Sequence, residues 1–158
     1  MKLINPVNKL ELVIDDGLLE KIGKIGVKHY PNEFGGFLIG KYSKDLKTLY
    51  ITDYLLPKKY KGYPTVFQRS IDGLPTAFQD IFKTKNEYYI GEWHTHPNGS
   101  TMYSQTDLQA MIATSECETV QIKNPILLIF SINQKEVNNY TFYFYADNNL
   151  TAYEQKNT

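Results

Sequence analysis

The chain has 158 residues, a length that suits one domain with a single core, and we expect that domain to span residues 1–158. Seventeen basic and seventeen acidic residues give a formal net charge of zero, so no overall basic field is available to hold nucleic acid by its phosphates. One cysteine excludes an intrachain disulfide and a thiolate-rich zinc site, and we find neither a signal peptide nor an apolar stretch long enough to span a bilayer. We therefore expect a cytoplasmic protein with no nucleic-acid partner and no membrane partner.

The N-terminal third of the chain has patterns typical of strands around one helix. Loosely alternating apolar residues predict an edge strand over 8–14, and apolar residues at helical spacing predict a helix over 17–30. Residues 34–42 are apolar and rich in glycine, as in a buried strand, and 48–56 would be the hairpin partner of that strand. This part therefore predicts a strand, a helix and a β-hairpin, in that order.

The middle of the chain begins with a polar insertion. Residues 57–70 contain two prolines and a glycine, which predicts an irregular insertion loop with at most one short strand, over 65–69. Apolar residues at helical spacing then predict a helix over 74–83. A strand over 88–94 and a second helix over 104–117 follow.

The last part of the chain returns to strand patterns. Residues 126–132 form an apolar run typical of a central strand, and 140–145 alternate aromatic residues. The polar tail over 148–158 would fray or add a short helix, and Cys117 would be a small buried residue at the end of its helix. Strands and helices in this order predict a mixed α/β fold in one domain.

The segment Gly-Glu-Trp-His-Thr-His-Pro, over residues 91–97, places two imidazoles two residues apart. In a strand, His94 and His96 would point to one face, whereas Trp93 and Thr95 would point into the core. A carboxylate in the first turn of the next helix, that of Asp107, can reach the same point. Two neutral imidazoles and one carboxylate leave an open position on a tetrahedral Zn²⁺, where a bound water becomes a nucleophile. The pattern therefore predicts one zinc ion per chain in a hydrolytic site.

Hydrolysis also needs a base for the proton of the water and a donor for the oxyanion that forms on the attacked carbonyl. Ser104 lies three residues before Asp107, so its hydroxyl is the candidate oxyanion donor. Glu33 is the candidate base, because two glycines follow at 35 and 36, where the backbone could pass close to the site.

Two alternatives to these assignments stay open. The base could be another carboxylate, above all Glu92, which has the strand parity of His94; the further candidates are Glu11, Glu20 and Glu87. Ser104 with an acidic residue three positions later is also typical of a helix N-cap. Capping and metal ligation would be compatible only if Asp107 does not reach back to the cap.

These residues resemble the JAMM motif of JAB/MPN metalloproteases, which is a distant glutamate, then His-x-His-Pro, then Ser-x-x-Asp after a short loop. The matching segments are Glu-Phe-Gly-Gly-Phe-Leu-Ile-Gly at 33–40, His-Thr-His-Pro at 94–97 and Ser-Gln-Thr-Asp at 104–107. The order of the predicted elements is similar to that of the family over nearly the whole chain.

The resemblance implies that His94, His96 and Asp107 bind zinc. It also implies that Glu33 is the general acid and base, and that Ser104 stabilises the tetrahedral intermediate. The implied fold is a curved mixed β-sheet flanked by helices, similar to that of cytidine deaminases. The implied activity is cleavage of isopeptide or peptide bonds after the C-terminal glycine of ubiquitin or ubiquitin-like proteins.

The short chain and the 91–97 segment are similar to the bacterial branch of this family. That branch includes enzymes encoded beside E1- and E2-like proteins, among them those of CBASS anti-phage defence systems. By this resemblance, the substrate would be a ubiquitin-like protein joined through its C-terminus to a lysine of a target. The E1- and E2-like proteins of the same operon would be functional partners.

Three other functions compete with this one. A non-catalytic MPN-type interaction scaffold would usually lack the metal ligands, which this chain keeps. A nucleoside deaminase needs His-x-Glu and Pro-Cys-x-x-Cys, which the single cysteine excludes. A JAB peptidase that acts on a sulfur-carrier or cell-wall peptide shares the chemistry and differs only in substrate, so the sequence leaves it open.

Overall fold

A computed structural model describes residues 1–156; Asn157 and Thr158, the end of the predicted tail, lie outside the described residues. The helices of the described part are α1 (Asp16–Val27), α2 (Leu74–Lys85) and α3 (Gln105–Glu116). Its strands are β1 (Lys2–Ile4), β2 (Glu11–Ile14), β3 (Gly35–Tyr42), β4 (Thr48–Leu55), β5 (Tyr60–Tyr63), β6 (Val66–Arg69), β7 (Tyr88–Pro97), β8 (Ile126–Ile132), β9 (Val137–Ala146), β10 (Asn149–Ala152) and β11 (Glu154–Gln155).

Nine of these strands form one mixed sheet, in the order β10-β9-β8-β7-β3-β4-β2-β1-β11. Strand β8 pairs in parallel with β7, and β2 pairs in parallel with β4, whereas the other neighbours run antiparallel. Every residue of β8 is buried, as expected for a strand that is covered on both faces. The mixed α/β fold predicted from the sequence is confirmed.

Helices cover both faces of the sheet. Leu128 and Phe130 of β8 belong to the larger core, on the side of α1, whereas Leu127 and Ile129 pack with Met111 of α3. The alternation follows from the period of two along a strand. The sheet face beneath α3 is therefore distinct from the face beneath α1, and it carries the candidate site.

The insertion over 57–70 is more regular than its sequence indicates. Strands β5 and β6 pair antiparallel, from Tyr60 opposite Arg69 to Tyr63 opposite Val66. The expectation of an irregular loop with at most one strand is wrong, because the prolines do not interrupt the pairing. One proline precedes the hairpin, and the other lies in its two-residue turn, where no ladder hydrogen bond is lost.

The expectation for the polar tail over 148–158 is also wrong, because the described part of the tail forms strands. Strand β10 pairs with β9 at one edge of the large sheet, and β11 pairs with β1 at the other edge. Two apolar residues of this stretch are buried: Leu150 within β10, and Tyr153 between β10 and β11. The partner of β11 lies at the other end of the chain, whereas β10 follows its partner β9 after the two residues 147–148. Both strands are thus defined by pairing rather than by their own polar composition.

Two smaller expectations are corrected as well. The edge strand expected over 8–14 is β2, which lies between β4 and β1, because the three residues of β1 are too few to produce a pattern. Cys117 is exposed rather than buried, since α3 ends at the residue before it. Within residues 1–156, no helix has both the length and the apolar character needed to cross a membrane.

Candidate metal centre

Strand β7 carries both histidines of the predicted metal site, because it continues to Pro97 instead of ending at 94. Trp93 and Thr95 are 1% and 0% exposed and face the core, as their strand parity predicts. His94 and His96 are therefore on the opposite face of the strand, half-buried, on the side of α3.

The three predicted ligands lie together. The Nε2 atoms of His94 and His96 are 3.0 Å apart. Asp107 places one carboxylate oxygen 3.1 Å from His94 Nε2 and the other 3.4 Å from His96 Nε2. Among residues 1–156, these are the three His, Cys, Asp or Glu side chains whose ligand atoms are close enough together to share a metal ion.

The separations between these donor atoms fit a tetrahedral zinc ion. Ligand atoms that lie about 2.0–2.1 Å from such an ion lie roughly 3.3 Å from one another. Imidazole nitrogen and carboxylate oxygen are both donors that zinc accepts, and three protein ligands are typical of a catalytic zinc site with one open position. The residues present therefore fit one Zn²⁺.

Asp107 and the two histidines affect one another's ionisation. Burial opposes the ionisation of Asp107, but hydrogen bonds from His94 and His96 outweigh it and hold the pKa of this carboxyl far below its ordinary value. For His96, burial lowers the pKa, but the hydrogen bond to Asp107 reverses this and the net change is upward. A carboxylate that stays ionised is thus fixed beside two imidazoles.

The loop over 98–104, between β7 and α3, orients one of the two imidazoles. Nδ1 of His96 lies 2.9 Å from the carbonyl oxygen of Ser100, so an Nδ1–H group can donate there. In that tautomer Nε2 keeps its lone pair and faces the other ligand atoms. A histidine that binds metal through one nitrogen commonly donates through the other, which fixes the orientation of its ring.

Side chains from β8 and β9 hold this loop in place. The Ser131 hydroxyl donates to the carbonyl of Gly99, and the Tyr143 hydroxyl donates to the carbonyl of Thr101 at 2.7 Å. Both side chains are nearly fully buried. Sequence reasoning missed them, because they lie far along the chain from the motif. The one available signal was Ser131 itself, a hydroxyl inside the apolar run 126–132.

Ser104 and Asp107 form both halves of a capping box at the start of α3. The amide of Asp107 donates to Ser104 Oγ at 3.0 Å, and the amide of Ser104 donates to Asp107 Oδ2 at 2.8 Å. We expected such capping to compete with ligation. In the structure, the carboxylate that closes the cap also approaches both histidines. A carboxylate has about four lone-pair sites, so the cap occupies only one of them.

Glu33 lines the same cleft as the three ligands and Ser104, a cavity of ≈ 660 Å³. It stands just before β3, where Gly35 pairs with His94. A Cβ atom at Gly35 would lie 2.2 Å from the carbonyl oxygen of Trp93, so only glycine lets β3 approach β7 here. Burial raises the pKa of Glu33, against a smaller opposing effect of the two imidazoles. A raised pKa suits a group that must both accept and return a proton.

Glu92 also lines the cleft, but its carboxylate is engaged with the insertion hairpin. It pairs with the guanidinium of Arg69, at the end of β6, and accepts a hydrogen bond from the Tyr89 hydroxyl at 3.2 Å. This carboxylate is therefore already engaged by two side chains. This favours Glu33 as the base. The cleft is not lined by the other carboxylates considered, Glu11, Glu20 and Glu87.

A comparison with protein families identifies the chain. The model of prokaryotic homologs of the JAB domain matches residues 15–143. The chain belongs to this family. The matched region of this JAB-domain protein contains all five candidate site residues, Glu33, His94, His96, Ser104 and Asp107.

A curated relative of this JAB-domain protein is a CD-NTase/cGAS isopeptidase from Enterobacter hormaechei subsp. hoffmannii (strain UCI 50). The two are 34% identical over 119 residues, which is 75% of this chain and 66% of the relative. The match thus spans just under two thirds of the length of the relative. Family and relative together support a peptidase-type function.

The fold of this JAB-domain protein is similar to the solution structure of protein DSY2949 from Desulfitobacterium hafniense. The TM-score is 0.67 at 16% sequence identity, and the match covers 91% of this chain and 90% of that chain. At this identity the similarity concerns the fold alone, which is a mixed α/β fold with one curved sheet and flanking helices.

Proposed function

We propose that this JAB-domain protein is a zinc-dependent peptidase that removes a ubiquitin-like modifier from conjugated proteins or trims the C-terminus of that modifier. The observation that carries the proposal is the convergence of His94, His96 and Asp107 in one cleft, together with Glu33 and Ser104. Metal ligands, a carboxyl with a raised pKa and a hydroxyl are the groups that amide hydrolysis by an activated water requires.

In this proposal, one Zn²⁺ would be held by Nε2 of His94, Nε2 of His96 and the carboxylate of Asp107. When bound, the ion would lower the pKa of a water toward about 7 and polarise the attacked carbonyl. The bond between His96 Nδ1 and the carbonyl of Ser100 would keep the ring oriented for binding.

Glu33 accepts the proton of the water as the water oxygen bonds to the carbonyl carbon. The proton then passes to the nitrogen of the leaving amine as the C–N bond breaks, so Glu33 ends the cycle ionised, as it began. Its raised pKa favours the second transfer without preventing the first. The hydroxyl of Ser104 accepts a hydrogen bond from the amide of Asp107, and its own O–H donates to the carbonyl oxygen as negative charge develops there.

The name of the Enterobacter relative supports an isopeptide bond as the bond that is cleaved. Such a bond joins a C-terminal carboxyl to the side-chain amine of a lysine. We therefore propose a ubiquitin-like conjugate as the substrate, E1- and E2-like proteins of the same operon as functional partners, and a role in antiviral defence in the cytoplasm. Cleavage of sulfur-carrier or cell-wall peptides is the alternative that shares this chemistry.

The decisive experiment supplies the purified protein with a conjugate of the ubiquitin-like protein encoded by its genomic neighbours. We expect cleavage that a chelator abolishes and zinc restores. Glu33→Ala should lower kcat by about 10²–10⁴ while bound zinc is unchanged, because the base is lost and the ligands are intact. His94→Ala should lower bound zinc, since it removes a ligand.

A control variant, Glu20→Gln, removes an exposed carboxylate that pairs with Lys24 on α1 and should leave cleavage unchanged. Near-normal turnover by Glu33→Ala would mean that another group is the base. A protein that binds no stoichiometric zinc, even when zinc is supplied, would instead favour the non-catalytic scaffold.

A further inference from the structure

We propose that Arg69 and Glu92 form a latch that holds the β5–β6 hairpin against Glu33, so that the hairpin positions the base. The latch is argued from contacts within the chain. Its catalytic consequence rests on the proposed function. In this assignment Arg69 and Glu92 are positioning residues, and neither takes part in proton transfer.

The hairpin contacts the backbone of Glu33 directly. The amide of Glu33 donates to the carbonyl oxygen of Tyr63 at 2.8 Å. A Cβ atom at Gly62 would lie 2.5 Å from the carbonyl oxygen of Glu33, so only a residue without a side chain fits at this position of β5. Two consecutive residues of β5 therefore contact both backbone polar groups of Glu33. Any displacement of the hairpin would be transmitted to the base.

The hairpin depends on side-chain contacts to stay in this position. Strands β5 and β6 form a two-stranded sheet of their own, separate from the nine-stranded sheet. An isolated two-stranded hairpin is at best marginally stable in water. Tyr60 and Phe67 pack edge-on against Phe34, the residue after the base, with ring centroids 4.8 Å and 5.5 Å from its own. These aromatic contacts hold both strands of the hairpin, β5 through Tyr60 and β6 through Phe67, against Phe34.

The open end of the hairpin, away from its turn, is held by an ion pair. Arg69, the last residue of β6, pairs with Glu92 of β7, and their side chains are only 25% and 14% exposed. The guanidinium carbon lies 4.6 Å from the centroid of the Phe37 ring, and Tyr89 donates to the same carboxylate. In such a half-buried pair, removal of either partner leaves the other charge without compensation. The pair therefore links the hairpin to the strand that carries the metal ligands.

The first test measures how firmly the hairpin is held, by limited proteolysis with trypsin. Lys58, Lys59 and Lys61 provide cleavage sites in and beside β5, and mass spectrometry reports the initial rate after each. We expect cleavage about tenfold faster in both Glu92→Gln and Arg69→Gln, because cleavage requires local opening of the hairpin.

Three further variants make this measurement specific to the pair. The double variant Arg69→Gln/Glu92→Gln should be cleaved no faster than the faster single variant, because both substitutions break the same interaction. Tyr89→Phe keeps the charges and removes one hydrogen bond, so we expect an increase of about two- to threefold. Glu20→Gln, a distant control for the loss of a paired carboxylate, should match the unchanged protein.

The second test asks whether the latch acts through the base. Glu92→Gln and Arg69→Gln should each lower kcat about tenfold, with bound zinc unchanged and KM altered less than kcat, since a displaced base slows the chemical step. In a Glu33→Gln background, Glu92→Gln should add almost no further loss, because the group that it positions is already absent. If Glu92→Gln only weakened the fold, it would lower the melting temperature, and it would lower kcat by the same factor in the Glu33→Gln background.

Equal trypsin rates in the single variants and the unchanged protein would overturn the latch. Faster trypsin cleavage with unchanged kcat would overturn the positioning of the base, as would an undiminished effect of Glu92→Gln in the Glu33→Gln background. If the unchanged protein cleaves no conjugate, the proposed function fails, whereas the trypsin rates still decide the latch.

Discussion

At the scale of single residues, the carboxylate of Asp107 joins a helix terminus to the proposed metal site. The capping box restrains this side chain through the backbone of α3 before any ion binds. Restraint of a ligand in the free protein reduces the entropy that metal binding must overcome. The same cap orients Ser104, whose backbone is fixed by its bond to the carboxylate. Asp107 therefore belongs both to the cap and to the proposed ligand set, so a substitution that alters one will affect the other.

The dual role of Ser104 leads to a prediction that separates its hydroxyl from its capping function. Ser104→Ala loses both, whereas Ser104→Gly loses the hydroxyl but weakens an N-cap by only a few tenths of a kcal/mol. If Ser104 donates to the oxyanion, both variants should lose about 10²–10³ in kcat. Steady-state cleavage of the conjugate, with bound zinc measured in parallel, checks this. A near-normal kcat for Ser104→Gly would reduce Ser104 to a helix cap.

The site residues differ in how far the sequence could predict them. His94, His96 and Asp107 follow from local rules, because strand parity and the first turn of a helix fix where neighbouring side chains point. The partners that hold them obey no local rule. Arg69 meets Glu92 only because the insertion folds back over β7, and Tyr143 meets the loop only through the pairing of β8 with β9. Such contacts are tertiary, and no local sequence pattern predicts them.

At the scale of elements, the loop between β7 and α3 is tied to the sheet beside the proposed ligands. Three consecutive carbonyls of the loop accept hydrogen bonds from β8, from β9 and from His96. Loops often carry functional residues because a scaffold holds them in place. Here the scaffold is the buried centre of the sheet, which holds the loop that contacts the imidazole of His96.

We predict that Tyr143→Phe weakens zinc binding about tenfold, the low end of the range for residues that orient metal ligands. The variant removes only the hydroxyl that donates to Thr101, so the aromatic core is preserved. Competition with a chromogenic chelator measures the affinity. Tyr145→Phe is the matched control, because its hydroxyl contacts Asn148 and lies outside the loop. Equal zinc affinities for the two variants would contradict a role for the Tyr143 hydroxyl in zinc binding.

The elements that the sequence misjudged share one property. Strands β5, β10 and β11 are short and polar, and each was expected to be loop, coil or helix; β6 matches the one short strand expected over 65–69. Short strands are stabilised by a partner strand and by packing rather than by their own composition. Longer elements are predicted better, because the pattern of their apolar residues is visible in the sequence. The bounds of β8 match the predicted ones, and those of α1 differ by at most three residues.

At the scale of the whole molecule, the ligand set connects parts of the chain that otherwise meet only through packing. His94 and His96 belong to the sheet, whereas Asp107 belongs to α3, which covers it. A bound ion would thus tie a helix to the sheet. Any ligand that binds only the folded state stabilises that state by mass action.

We therefore predict that zinc raises the melting temperature. Free zinc at a hundred times its Kd adds about 2.7 kcal/mol, which in a chain of this size corresponds to about 5–10 °C. Differential scanning fluorimetry in chelator and in excess zinc measures the shift. His94→Ala should show a much smaller one, because a ligand is missing. The same shift in both proteins would mean that the stabilising ion binds elsewhere.

The two strands at the edges of the nine-stranded sheet come from one short stretch of chain. Strands β10 and β11 lie at opposite ends of the sheet and are separated by Tyr153 alone. In a flat sheet, strands about 4.8 Å apart would put these edges roughly 38 Å from each other. One residue cannot bridge that distance, so the sheet must roll until its ends almost meet. The C-terminal stretch thus supplies the edge strand at both ends of the sheet, and these two strands are only four and two residues long. Short edge strands offer little backbone for a strand of another molecule to pair with.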